Sequence, residues 1–201
     1  MSAPRLILAS TSRYRRELLN RLHLPFEVEA PDVDETPALA EKPAALARRL
    51  ATAKAQVISA RAPDAVVIGS DQVADLDGIC IGKPGNHARA TAQLKSMSGR
   101  SVVFHTAVAV QASARGYART EVVSVRVRFR SLTDAEIEHY LRLEQPYDCA
   151  GSAKCETLGI ALLEAIESAD PTALVGLPLI RTCELLREAG IDPLTTPPPT
   201  P

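Results

Sequence analysis

The chain has 201 residues, with 23 Lys+Arg against 24 Asp+Glu and a formal charge of −1, a balance that argues against a general polyanion binder. The length suits one domain, residues 1–194, and 46% hydrophobic with 23% charged residues excludes disorder of the whole chain. With no Trp, three Phe and four Tyr, few rings are available to stack a run of single-stranded bases, so a nucleic-acid polymer is not an expected partner.

Residues 5–9 form a short apolar run that enters Ser10-Thr11-Ser12, and residues 13–22 carry Tyr14, Leu18, Leu19 and Leu22 at helical spacing, which predicts strand, polar turn, helix. Residues 26–30 read as a second strand and 31–42 as an acidic loop. A helix over 43–61 follows, with proline at its first position. Residues 65–69 are all apolar or Gly, as in a strand covered on both faces. Residues 72–81 alternate in two short segments around Asp77-Gly78, a pair that favours a two-residue hairpin turn. A helix is predicted near 88–98, closed by Gly99, then two long strands over 101–111 and 121–130. The spacing Thr133-Asp134-Ala135-Glu136 predicts a capping box opening a helix to about Leu143. Residues 145–157 read as a loop, 158–164 as a strand and 179–189 as the closing helix. The tail from Thr195 to Pro201 is almost all Thr and Pro and is expected to be disordered. Strands alternating with helices, plus a hairpin and a long antiparallel pair, predict an α/β protein around a mixed sheet.

Cys80, Cys149, Cys155 and Cys183 contain no C-x-x-C pair and the four histidines are scattered, so a zinc site is not expected and the cysteines read as small buried hydrophobes. The apolar run at residues 6–9 is too short for a signal peptide core, and no apolar run reaches membrane length. The expectation is a cytoplasmic chain with reduced thiols and no membrane partner.

If the strands run as read, four polar clusters fall just after strand ends, where open α/β sheets place their ligands. Ser10-x-Ser12-x-x-Arg15-Arg16 puts hydroxyls, free N–H groups and two guanidiniums at a helix start, which suits a phosphate; a serine N-cap with exposed arginines is the plain alternative. Asp32-x-Asp34-Glu35 is dense enough in carboxylates for a hard divalent cation, although a solvated acidic loop has the same composition. Gly69-Ser70-Asp71-Gln72 ends an apolar strand in a carboxylate, and Gly82-Lys83-Pro84 holds a lysine between residues that restrict the backbone. Lys54 and Arg49 on the preceding helix add cations. Together these supply positive charge for several phosphates, carboxylates for Mg²⁺ and a separate carboxylate to activate water. Neither a P-loop nor a G-x-S-x-G elbow is present.

Leu8-Ala9-Ser10-Thr11-Ser12 with Arg15-Arg16, then Val33-Asp34-Glu35-Thr36, Ala53-Lys54-Ala55, Gly69-Ser70-Asp71-Gln72-Val73 and Gly82-Lys83-Pro84 resemble, in order and spacing, the motifs of the Maf family of nucleotide pyrophosphatases. The likeness continues through Cys149-Ala150-Gly151-Ser152 and Val175-Gly176-Leu177-Pro178-Leu179, and is greater to the YceF-type, 7-methyl-GTP branch than to the dTTP/UTP branch. It implies a Maf/ITPase-like three-layer fold around a mixed, twisted sheet with a substrate cleft. It further implies cytoplasmic hydrolysis of a nucleoside triphosphate to monophosphate and diphosphate with Mg²⁺, Mn²⁺ or Co²⁺, and a homodimer. Carried over by position, Asp71 is the proton acceptor and, with Glu35, a metal ligand. Ser10, Ser12, Arg15, Arg16, Lys54 and Lys83 fall on phosphate positions, and Tyr14, Gln72 and Glu156 where the family tunes base choice. An aromatic ring at Tyr14 offers a cation–π contact to a methylated, positively charged guanine, Glu156 can accept from the guanine edge, and Gln72 offers a donor and an acceptor.

The chain departs from the pattern at three places. Arg13 stands for the usual Pro, Tyr14 for the larger indole of some relatives, and Thr157 for the usual Gly, which predicts an altered loop because threonine resists a positive φ. Two other functions stay open: the sibling dTTP/UTP specificity, and a nucleotide-binding regulator of septum formation whose hydrolysis is incidental.

Overall fold

A computed structural model describes residues 4–196. Seven strands form one mixed sheet: β1 (Leu6–Ala9), β2 (Glu27–Glu29), β3 (Val66–Leu76), β4 (Ile79–Ile81), β5 (Ser101–Ala112), β6 (Tyr117–Phe129) and β7 (Leu163–Glu167). The order is β2-β1-β3-β5-β6-β7 with β4 also on β3; β1 is parallel to β2 and β3, and every other pairing is antiparallel. The helices are α1 (Arg13–Asn20), α2 (Pro43–Arg61), α3 (His87–Met97), α4 (Asp134–Glu144) and α5 (Leu179–Glu188).

Side chains alternate across a strand, and the alternation sorts the core into layers. Val66, Ile68, Val108 and Val110 pack with Leu18, Leu19, Leu185 and Leu186 of α1 and α5. Farther along the same face, Ala74, Leu76, Val102 and Phe104 pack with Leu94, Met97, Ile137 and Leu141 of α3 and α4. The opposite face, with Val67, Val73, Ala107 and Ala109, lies under Ala47, Leu50, Ala51, Ala55 and Ile58 of α2. Helices thus cover both faces of a mixed sheet, as expected.

Two strands differ from the sequence reading. The strand expected to stop at Gly69 and the segment expected to start at Gln72 are one strand running to Leu76, because the ladder to β5 continues through Ser70↔Val108, Asp71↔Ala107 and Gln72↔Thr106; the hairpin turn expected at Asp77-Gly78 follows it. Its polar side chains do not end it, since the buried Ser70, half-buried Gln72 and buried Thr106 bond the 173–176 segment lying over them. The strand expected over 158–164 is a 3-10 turn, Leu158–Leu162, before β7 begins at Leu163. The chain doubles back so tightly there that a Cβ on Gly159 would stand 2.3 Å from the Lys154 carbonyl oxygen, and the alternation of Leu158, Ile160 and Leu162 imitated a strand. Of the tail expected to be disordered, residues 197–201 lie outside the described residues; Thr195 and Thr196 donate to the Asp192 carbonyl.

The arrangement that positions the site is on one edge of β3. β1 pairs with its residues 66–69 and β4 with its residues 74–76, so the edge of residues 70–73 has neither strand beside it. The loops leaving β1 and β4 flank that gap.

Candidate active site

A cleft of about 790 Å³ opens at the gap, lined by the loop after β1, Glu35, Lys54, Asp71, Lys83 and residues of the 148–156 segment. Asp71 therefore sits mid-strand, not after a strand end as the sequence suggested. Gly69, two residues earlier, lets α2 approach: a Cβ there would fall 2.3 Å from the Ala51 carbonyl oxygen and 2.6 Å from the Ala55 nitrogen. Lys54 lies on the buried stripe of α2 with Leu50, Ala51 and Ile58. The close approach sets its ammonium 2.6 Å from Asp71 Oδ1 and 2.5 Å from Glu35 Oε1. Partial desolvation pushes the Glu35 carboxyl up, but the Lys54 ammonium, with Lys83 and Arg15 behind it, outweighs this and holds it below its ordinary value. Among the described residues no hydrogen bond reaches Asp71 Oδ2, which leaves that oxygen for a water or an ion.

The first turn of α1 forms the next wall. Ser12 is its N-cap, and Ser10 Oγ accepts from the Ser12 N–H at 3.1 Å and from Arg15 Nη1 at 3.5 Å. The first N–H groups of a helix lack intrahelical acceptors and carry the positive end of its dipole, so this wall favours an anion. Arg15 Nε donates to the Gly176 carbonyl at 2.9 Å, and burial pulls the guanidinium below its ordinary value while Asp71 and Glu35 oppose the shift. Arg15 and Lys83 have no carboxylate within ion-pair distance among the described residues, whereas Lys54 has two.

Gly176 takes a φ of +124°, open to glycine and strained for other residues. Its carbonyl also accepts from Ser70 Oγ at 3.0 Å. The segment carrying it is pinned by the buried Asp170, which accepts from the Thr172 N–H at 3.0 Å, the Thr172 hydroxyl at 2.7 Å and the Ile180 N–H at 2.7 Å. Nothing in the sequence of Val175-Gly176-Leu177-Pro178-Leu179 assigns it a role. The structure makes it the support that aims Arg15. Asp170 left no comparable signal, being one acidic residue in a loop.

Tyr14 lines the same cleft, with Asp148 and Cys149 at its hydroxyl and Glu156 also in the lining. The Tyr14 hydroxyl receives a hydrogen bond from Arg13 Nη2 at 2.7 Å and lies 3.5 Å from Asp148 Oδ2. The Arg13 guanidinium stands 4.7 Å over the Tyr14 ring. The ring thus already carries a cation on one face, which the sequence reading did not foresee. Gln72 Nε2 donates to the Ala173 and Leu174 carbonyls and to Thr106 Oγ1 at 3.0, 2.9 and 2.9 Å. Main-chain carbonyls only accept, so the amide orientation is fixed. Gln72 consequently offers a ligand its oxygen and not, as expected, a donor as well. Glu156 is exposed in the cleft, and its loop is held from behind by Glu144, which accepts from Thr157 Oγ1 at 2.9 Å and the Leu158 N–H at 3.0 Å. The buried Lys154 donates to the Glu144 carbonyl at 2.5 Å. Thr157 has a φ of −130°, so replacing the usual glycine imposes no positive-φ strain here.

The structure brings Ser10, Ser12, Tyr14, Arg15, Glu35, Lys54, Asp71, Gln72, Lys83 and Glu156 to one cleft. Arg16 and Arg49 are the exceptions, both exposed and neither lining the cleft: one helical step turns Arg16 about 100° from Arg15, and Arg49 is held by Glu41 at 2.8 Å. Asp32 and Asp34 are exposed outside the cleft lining, leaving Glu35 as the carboxylate of that loop that enters. The four cysteines are free and half-buried, less buried than the sequence implied. Desolvation pushes Cys149 to about 11 and Cys155 to about 12, which keeps both thiols protonated near neutrality.

The Maf-like protein family matches residues 5–189. The chain belongs to the Maf family. A Maf protein of Polaromonas sp. named 7-methyl-GTP pyrophosphatase is 65% identical over 92% of this chain and 85% of its own length. Another of that name, from Albidiferax ferrireducens, is 62% identical over 96% of this chain and 99% of its own. A solved nucleoside-triphosphatase / dITP/XTP pyrophosphatase from Mycobacterium abscessus aligns over 64% of this chain and 75% of its own, at 17% identity with a TM-score of 0.42, too distant a likeness to carry weight.

Proposed function

We infer that this Maf protein hydrolyses 7-methyl-GTP at its α–β phosphoanhydride, giving 7-methyl-GMP and diphosphate. The observation that carries the chemistry is Asp71, fixed mid-strand on the open edge of β3 by Lys54, with Arg15 and Lys83 free of carboxylate partners beside it. Attack of water on a phosphorus needs a positioned base and compensation of charge on the phosphate oxygens. Asp71 is placed to take the proton of the water. Arg15 and Lys83 neutralise phosphate oxygens, and the α1 N-terminus adds its N–H groups. The base identity follows the names of the relatives, and the cleft is compatible with it: Tyr14 gives a stacking face, while Gln72 Oε1 and the Glu156 carboxylate are acceptors for the N–H groups of a guanine edge.

The donor chemistry at Glu35 and Asp71 fits a hard divalent ion, Mg²⁺, Mn²⁺ or Co²⁺, because one ammonium touches both carboxylates and so draws them together. Among the described residues no group of three His, Cys, Asp or Glu side chains forms a metal cage, so an ion held by these two carboxylates would need further ligands from substrate or water. Glu35 and Asp71 would hold such an ion, and it would supply positive charge against the phosphates. The cytoplasmic setting and the homodimer expected from the family belong to this reading too. No helix among the described residues is long and apolar enough to cross a membrane, and sedimentation velocity reads the dimer directly.

The test is a panel of nucleoside triphosphates with Mg²⁺ or Mn²⁺ and product identification. Highest kcat/KM for 7-methyl-GTP with diphosphate as product is expected. Preference for dTTP or UTP, or release of orthophosphate, overturns the reading, and tight binding without turnover favours the nucleotide-binding regulator.

A further inference from the structure

Resting on 7-methyl-GTP as substrate, we propose that Arg13 and Asp148 set the preference for a cationic over a neutral base: Asp148 attracts the base charge, and Arg13 is an internal counter-cation that opposes it. The base end of the cleft carries the carboxylates of Asp148 and Glu156 and the guanidinium of Arg13. Arg13 lies 4.7 Å over the Tyr14 ring, donates to its hydroxyl at 2.7 Å, and reaches within 3.9 Å of Asp148 Oδ2. Asp148 Oδ2 is itself 3.5 Å from the Tyr14 hydroxyl. The ring, the cation and the carboxylate therefore form one unit in which Arg13 already makes the cation–π contact that a 7-methylguanine would make.

A neutral guanine stacked on Tyr14 meets no Coulomb penalty from Arg13. A 7-methylated guanine stacked there is a like charge close to Arg13, and the Asp148 carboxylate beside the Tyr14 hydroxyl offsets it. Arg13 and Asp148 side chains are 59% and 55% exposed, so the effect is modest, screened by salt, and separable from folding. Arg13 thus makes the pocket less discriminating than its carboxylates alone would make it.

The experiment measures kcat/KM for 7-methyl-GTP and for GTP in the wild type, Arg13→Gln, Asp148→Asn and the double variant, at low and high salt. The ratio of the two substrates is expected to rise about two- to fivefold in Arg13→Gln and fall by a similar factor in Asp148→Asn, the range exposed charge pairs give. The double variant should return near the wild type, with the shifts carried in KM for 7-methyl-GTP and shrinking at high salt. Ratios that stay put, that move the same way in both single variants, or that ignore salt overturn the inference while leaving the substrate intact. A wild type that does not hydrolyse 7-methyl-GTP overturns the substrate reading and this inference with it.

Discussion

Gly69→Ala tests how packing builds the site, because it adds one methyl group where the structure has no room. The new Cβ would stand 2.3 Å from the Ala51 carbonyl oxygen and 2.6 Å from the Ala55 nitrogen, both main-chain atoms that no rotamer change can clear. A Cβ needs at least 3.0 Å, so α2 has to retreat by about 0.7 Å. Lys54 rides on that helix, and its 2.6 Å contact to Asp71 stretches toward about 3.3 Å, past good hydrogen-bond length. Overpacking of this kind costs about 1–3 kcal/mol. For a chain of this size each kcal/mol lowers Tm by about 2–4 °C, so a fall of roughly 2–12 °C is expected in calorimetry. Displacing a catalytic group by a fraction of an ångström to 1 Å costs roughly ten- to a hundredfold in turnover, read as diphosphate release. A Gly69→Ala protein that melts within a degree of the wild type and keeps full turnover would refute the tight α2–β3 approach as the cause of the Lys54–Asp71 geometry.

Asp71→Asn keeps shape but removes the carboxylate proposed as the base, and turnover is expected to drop about 10²–10⁴-fold while nucleotide binding persists by calorimetric titration. Arg15→Ala removes a charged donor from the phosphate wall and should lower kcat/KM roughly ten- to a hundredfold, and Arg15→Lys should recover little, since the forked guanidinium serves both Gly176 and Ser10. Glu136 closes the capping box of α4: the Thr133 N–H, then Arg130 and the Thr133 hydroxyl, hold its carboxyl at about 2 against an ordinary 4.5. A folded value below the unfolded one means this stabilisation is complete above 4.5 and fades as pH falls toward 2, so Tm of Glu136→Gln should depend less on pH across that window than Tm of the wild type.

The elements with one clear period were legible in the sequence. Helix α2 runs over 43–61 as its apolar repeat and N-terminal proline predict, and Thr133 and Glu136 form the expected capping box. What misled were polar residues whose partners lie far along the chain. Ser70 and Gln72 looked like a strand end because nothing local could satisfy them, yet carbonyls about a hundred residues away do. The same remoteness hid the roles of Gly176 and Asp170, which act on Arg15 only once α5 is docked. Most of the cleft was readable because each loop brings a separate charged group, whereas Arg16 was misplaced because adjacent residues of a helix face different ways. The Arg13 cation over Tyr14 was hidden because neighbours in sequence seldom stack within a helix.

Attack of water on the α-phosphorus, with Asp71 as the proposed base, is read out by hydrolysing 7-methyl-GTP in oxygen-18 water. Mass spectrometry of the products should find the label in 7-methyl-GMP, with unlabelled diphosphate. Label in the diphosphate, or in orthophosphate, would place the attack on a different phosphorus and rule out this mechanism.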